Sequence, residues 1–144
     1  MKNIPRSFPI IECCVTIFAL GIFASSCTNN PASSTTASTN TPVIASATNA
    51  FTFVLAASSY TQDENWGLTF TSDSIAFSVV SGNYTSGSVL FSVTDSTNGA
   101  IFQDTVTTNR VIALTQSGKG IPTHCTINCN GYTGNVTFAM SGYK

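Results

Sequence analysis

His124, Cys125 and Cys129 are the side chains of this chain best suited to nucleophilic or metal chemistry, and Asp63 with Glu64 form its only adjacent pair of carboxylates. A thiol nucleophile needs an imidazole converging on it, and zinc needs four ligands or three and a water. On a strand, neighbouring side chains point to opposite faces, so His124 faces away from Cys125 and Cys129 and neither site is expected. In an oxidising compartment two cysteines ordinarily form a disulfide. Four residues along a straight strand nevertheless separate their Cα atoms by about 13 Å, and a bridge requires less than about 7 Å. Two readings stay open: separate buried thiols, or a bent segment in which Cys125 and Cys129 pair.

Asp63 and Glu64 lie in the polar-aromatic segment from Tyr60 to Trp66. With Asn65, and with Asp95 and Asn98 of a second loop, they could supply oxygens to a calcium ion, which takes six or more. Asp95 to Gly99 is equally well explained as a hairpin turn. General acid/base hydrolysis needs two carboxylates converging on a cleft, a weak expectation for a chain in which only 8% of residues are charged. Tyr60, Trp66, Tyr84, Tyr132 and Tyr143 are candidates for contact with a sugar or protein, since rings on loops offer a flat apolar platform with a polar tip. Trp66 is in phase with Leu68 and Phe70 and is equally a core residue, whereas Tyr84 and Tyr132 lie in Gly-containing segments and are expected to be exposed. There is no phosphate-binding Gly-rich loop, no dinucleotide fingerprint and no Gly-x-Ser-x-Gly. The expectation is a chain that is not an enzyme, with no metal and no cofactor, whose binding residues are Tyr60, Asp63, Glu64, Trp66, Tyr84 and Tyr132.

The elements that must position these residues are strands. Apolar residues recur with period two at Phe51, Phe53 and Leu55, at Ile75, Phe77 and Val79, and at Val89, Phe91 and Val93. The same rhythm holds for Val111 and Ala113, for Cys125, Ile127 and Cys129, and for Val136, Phe138 and Met140. Such alternation predicts sheets with one buried and one wet face. Turn signals fall between the runs: Ser72-Asp73, Ser81-Gly82-Asn83, Asp95 to Gly99, Ser117 to Gly120 and Asn130 to Gly134. Residues 51–144 therefore read as one all-β domain, an antiparallel sandwich or jelly roll of seven or eight short strands.

Residues 28–50 are a Ser/Thr/Asn/Ala mixture with Pro31 and Pro42 and no charge. This composition buries too little apolar surface to offset its ordering entropy, so a flexible tether is expected. The competing reading places an extra edge strand at residues 42–47. Beyond residue 27 the chain carries Arg110, Lys119 and Lys144 against Asp63, Glu64, Asp73, Asp95 and Asp104, a net charge of −2. No basic patch for nucleic acid and no polybasic strip for anionic lipid exists in that sequence.

Lys2 and Arg6 precede an apolar stretch of about eleven residues, 13–23, followed by Ala24-Ser25-Ser26-Cys27. The stretch is short for a transmembrane helix, which needs roughly twenty residues. The order of basic start, apolar middle, small residues and cysteine resembles the signal sequence of bacterial lipoproteins. That resemblance implies removal of residues 1–26, acylation of Cys27 as the new N-terminus and a membrane anchor. With Thr28 next and no acidic neighbour, it further implies the outer membrane of the cell envelope. Ala24 and Ser26 also satisfy an ordinary secretory cleavage site, which would release a soluble protein, and residues 8–27 retained as a helix would anchor the chain directly. A second stretch, from Cys125 through Gly131 and Gly134 to Met140, is similar to the closing strands of small bacterial β-sandwich modules such as the pre-peptidase C-terminal type. Those modules imply an accessory or binding role. Together these features lead us to expect an exported, lipid-anchored sandwich that binds a glycan, an envelope component or a partner protein. The alternatives are an assembly subunit pairing through an edge strand and a small exported hydrolase or thiol protein.

Overall fold

The computed structural model describes residues 39–143. Cys27 and the signal-like segment lie outside them, as do residues 28–38 of the expected tether. Six strands form the fold: β1 (Val43–Ala47), β2 (Ala50–Gly67), β3 (Ile75–Thr94), β4 (Ala100–Val106), β5 (Arg110–Gln116) and β6 (His124–Gly142). There is no helix among the described residues, and every strand pairing is antiparallel.

The all-β expectation holds, but the strands are fewer and longer than the turn signals suggest. β2, β3 and β6 run for 18, 20 and 19 residues, and each contributes to two layers. In layer I the order is β1, residues 50–57 of β2, residues 134–142 of β6, residues 75–82 of β3, and β5. In layer II it is residues 62–67 of β2, residues 124–130 of β6, residues 88–94 of β3, and β4. Ser81-Gly82-Asn83 and Asn130 to Gly134 are thus bends inside strands. Positive φ serves a bulge as readily as a hairpin. The tether expected to reach Ala50 also ends early: Val43–Ala47 pairs with β2 from Val43↔Val54 to Ala47↔Ala50, closed by the two-residue turn Thr48-Asn49 with Asn49 at φ 59°.

The inward residues of the two layers form one core. Phe138 of layer I has its ring centroid 4.7 Å from Phe91 and 5.7 Å from Phe102 of layer II, and Phe77 stacks on Phe102 at 4.6 Å. Phe53, Phe91 and Phe138 are fully enclosed. In β4 an extra residue at the Val93/Thr94 register shift lets the consecutive Ile101 and Phe102 both turn inward. β5 reverses the expected phase: Ile112 and Leu114 pack on the core, and Val111 is 75% exposed.

All three long strands bend at one level. Register breaks fall at residues 57–62 of β2 and 82–88 of β3, and the positive-φ residues there are Ser59, Asn83, Gly87, Gly131 and Gly134. Tyr132 fills the corner with no exposure. Its hydroxyl lies 3.0 Å from Ser81 Oγ and donates to the Asn135 carbonyl at 3.0 Å. At Gly87 the backbones of β3 and β6 meet directly: a Cβ on Gly87 would lie 2.2 Å from the Gly131 carbonyl oxygen, at φ +78°.

This contact predicts an asymmetry between two glycines. Gly87→Ala should cost more than about 3 kcal/mol, because the backbones must separate as well as adopt a disfavoured φ. Gly118→Ala, at φ +74° with open space around it, should cost about 1 kcal/mol from the backbone alone. Urea unfolding of the two variants measures the difference, and equal losses would contradict the corner packing.

Candidate functional site

The residues singled out from sequence do not assemble into one site. On the half of β2 in layer II, Tyr60 is buried, Glu64 and Trp66 are half-buried on the same face, Gln62 on that face is exposed, and Asp63 projects from the opposite, outer face; the register sets Glu64 beside buried Ile127 and Asp63 beside Asn128. Asp63 accepts a hydrogen bond from Asn128 Nδ2 at 2.8 Å. The Tyr60 hydroxyl lies 3.2 Å from Glu64 Oε1 and 3.4 Å from Gln62 Oε1. Burial chiefly, and the Glu64 carboxylate next, raise the Tyr60 pKa above its ordinary value. Strand alternation thus sends Asp63 and Glu64 to opposite faces, which separates the carboxylates a calcium or acid/base site would bring together.

The aromatic platform is taken apart in the same way. Tyr132 is buried in the corner, and Tyr84 packs against it with centroids 6.1 Å apart and donates its hydroxyl to the Gly87 carbonyl at 3.0 Å. The exposure expected of Tyr84 and Tyr132 assumed loops; bent strands fold those rings inward instead. Trp66 leans on Phe51 at 6.5 Å. Asp95, the other calcium candidate, spends Oδ1 on Thr97 N, Thr97 Oγ1 and Gly99 N, each at 2.8 Å. These bonds hold its carboxyl below the usual value, with the Thr97 side chain contributing most. Asp95 to Gly99 is a hairpin turn locked by its own aspartate.

Cys125 and Cys129 are two separate buried thiols on the inner face of β6. His124 lies on the exposed face with Nδ1 2.9 Å from Thr123 Oγ1. Burial pushes both thiols up to about 12, helped at Cys129 by the charges of Glu64 and Asp63. The nucleophilic thiolate is therefore scarce at neutral pH. Alkylation with iodoacetamide at pH 8 should leave Cys125 and Cys129 unmodified in the native chain and label both in guanidinium. Peptide mass mapping without reductant reads this directly, and a peptide two hydrogens lighter would show the disulfide instead.

A surface that sequence reading did not single out is the outer face of layer I. Three cross-strand rows cover it: Val54, Thr137, Val80 and Val111; Thr52, Ala139, Ser78 and Ala113; Ala50, Ser141, Ala76 and Thr115. None is charged and most are small. A shallow groove crosses the face between Ala50, Ala76, Ala113 and Ala139. Val80, 41% exposed, pairs with Val111 at one end. The only signal for this face was the second phase of the same strands, small and apolar where a solvated face would carry Lys or Glu.

That face ends at an unguarded strand. Sheet edges invite pairing with other chains and are usually blunted by shortness, bulges, prolines or charge. Among the described residues β1 is five residues long and follows Pro42. The layer II edge of β2 carries Asp63 and Glu64 next to a break at Tyr60. β4 has its bulge at Ile101 and an inward Asp104. β5 has seven residues, no bulge, no proline and one charge, Arg110, which is bonded to Asp104. Arg110 Nε and Gln116 Oε1, at the two ends of β5, are buried without a hydrogen-bond partner among the described residues.

No protein-family profile matches the chain, and no curated protein matches it. Among solved structures it is similar to a chain from a study of Bacillus endospore appendages, described as a novel family of disulfide-linked pili, at 13% identity and a TM-score of 0.41, covering 71% of this chain and 91% of that one.

Proposed function

We propose that this protein is a non-enzymatic, exported subunit, held at the bacterial cell envelope by a lipid on Cys27, that docks another protein by adding a strand to its β5 edge. The observation that carries the docking is the contrast between edges: β5 alone among the four lacks shortening, bulge, proline or an unpaired charge, its inward Arg110 being neutralised by Asp104. Main-chain pairing at such an edge supplies affinity, and the side chains on either face of the added strand supply selectivity. The outer face of layer I extends that surface with uncharged side chains, and small side chains let a partner approach closely. The burial of Tyr60 and Tyr132 favours a protein over a glycan as the partner, because those rings are enclosed and cannot stack on a sugar. The anchor is supported by the order of residues in 2–27: basic start, short apolar middle, small residues and Cys27.

The anchor is tested by the intact mass of the mature chain from its native envelope. A chain beginning at Cys27 with added acyl mass is expected, and an unmodified N-terminus would overturn it.

The edge is tested by lysine. Val111→Lys places a charge beside the β5 edge at an exposed position, so its effect on stability should stay within about 0.5 kcal/mol. Chemical cross-linking of the full chain in its envelope should give adducts that Val111→Lys reduces at least about tenfold, one lysine at an edge being enough to oppose pairing. Thr105→Lys on β4 should leave them unchanged. Adducts unaffected by Val111→Lys would end the β5 reading.

A further inference from the structure

Resting on that docking edge, we infer that its partner is a second copy of this chain, with β5 paired antiparallel to β5 about a two-fold axis at Ala113. The seven residues of β5 are complementary to themselves in this register. Arg110 falls opposite Gln116 of the second copy, Val111 opposite Thr115, Ile112 opposite Leu114, and Ala113 opposite itself.

Each pair matches chemically. Ile112 and Leu114, already packed on the core, sit on the inner face of both copies and extend the core across the axis. Val111, Ala113 and Thr115 lie on the outer face and join the two uncharged faces into one. The ends match as well. Arg110 uses Nη2 for Asp104, and among the described residues its Nε and Gln116 Oε1, like Trp66 Nε1 on β2, have no hydrogen-bond partner. Buried polar groups are almost always paired. In this register Arg110 of each copy stands directly opposite Gln116 of the other, at both ends, where cross-strand Cβ atoms are about 5 Å apart, and the two side chains would turn towards the seam to pair. A slip by two residues would set Arg110 against Leu114 and leave Gln116 outside the pairing. A slip by one would place inward residues opposite outward ones. The two Arg110 side chains stand six residues apart along the ribbon, about 20 Å, so the like charges do not oppose each other. About six to eight backbone hydrogen bonds would close the edge, and the five strands of layer I would continue into five more.

The register is tested by disulfide trapping in the full chain. Residues directly opposite have Cα atoms about 4.5–5.5 Å apart, within reach of a disulfide. Under mild oxidation Ala113→Cys should form a covalent dimer several-fold above the level of the parent chain. Val111→Cys alone and Thr115→Cys alone should stay at the parent level, and a mixture of the two should cross-link. Gln116→Leu should weaken the dimer about tenfold in sedimentation equilibrium, the loss of one hydrogen bond per side. No dimer from Ala113→Cys, while Val111→Lys still removes envelope adducts, would overturn the second copy and leave β5 as an edge for a different protein. Cross-linking by Ala113→Cys without cross-linking in the mixture would overturn the register.

Discussion

The fold depends on three neighbouring strands bending at the same level. β2, β6 and β3 are hydrogen-bonded side by side in both layers, so the pairing that fixes register in layer I fixes it in layer II. Neither layer can slip without the other, since a one-residue slip would turn two inner faces outward. The cost of this economy falls on the corner, where paired strands must change direction together. Five residues take positive φ there, and β3 meets β6 with Gly87 against the Gly131 carbonyl. Side-chain bonds replace the missing ladder: Ser59 N donates to Thr133 Oγ1 and Gly131 N to Thr61 Oγ1, both at 2.8 Å. Tyr132 fills the angle between the layers, and its hydroxyl satisfies Ser81, the one buried polar residue beside it.

Much of this was legible in the sequence, and what was not has physical reasons. Alternation placed Phe51, Phe53, Leu55, Phe77, Val79, Phe91, Ile127 and Phe138 on inner faces, because a two-layer β domain leaves period two no other meaning. The corner was not legible. Asn83 and Gly131 look the same in a hairpin turn and in a bend, since both conformations ask for positive φ. Which one forms depends on whether the flanking strands pair with each other or with a third strand, and that is tertiary information. Misreading the bends as loops also placed Tyr84 and Tyr132 in solvent. β5 misled for another reason: Val111, Ile112, Ala113 and Leu114 are all apolar, so the run has no phase of its own, and packing against β3 chose Ile112 and Leu114.

The candidate surface was hidden by what it lacks. Sequence reading looks for groups that do chemistry, and it found Asp63, Glu64, His124 and the cysteines. Strand alternation then set Asp63 against Glu64 and His124 against Cys125, and burial raised both thiols to about 12. An unguarded edge is defined by absent features, no bulge, no proline and no unpaired charge, and can be recognised only once the strands are known to lie at an edge. Arg110 and Gln116 illustrate the point. In sequence they are ordinary polar residues bounding an apolar run; in the fold each has a buried polar atom with no partner among the described residues, at opposite ends of β5.

Placement within layer I gives the edge its direction. The chain enters the layer through β1, and β5 is the strand furthest from it, four strand spacings or about 19 Å across the sheet. Closing the β5 edge chemically would take a single lysine, at position 111 or 113, where nothing in the fold forbids one: Val111 is mostly solvent-exposed and Ala113 is exposed. A valine there carries a desolvation cost in the isolated chain and yields a return only when another strand covers it. The other three edges each carry a blunting device, so the chain's composition does not exclude them. Within layer I, β5 is thus the edge whose outer face lacks charge and whose strand lacks a bulge or proline.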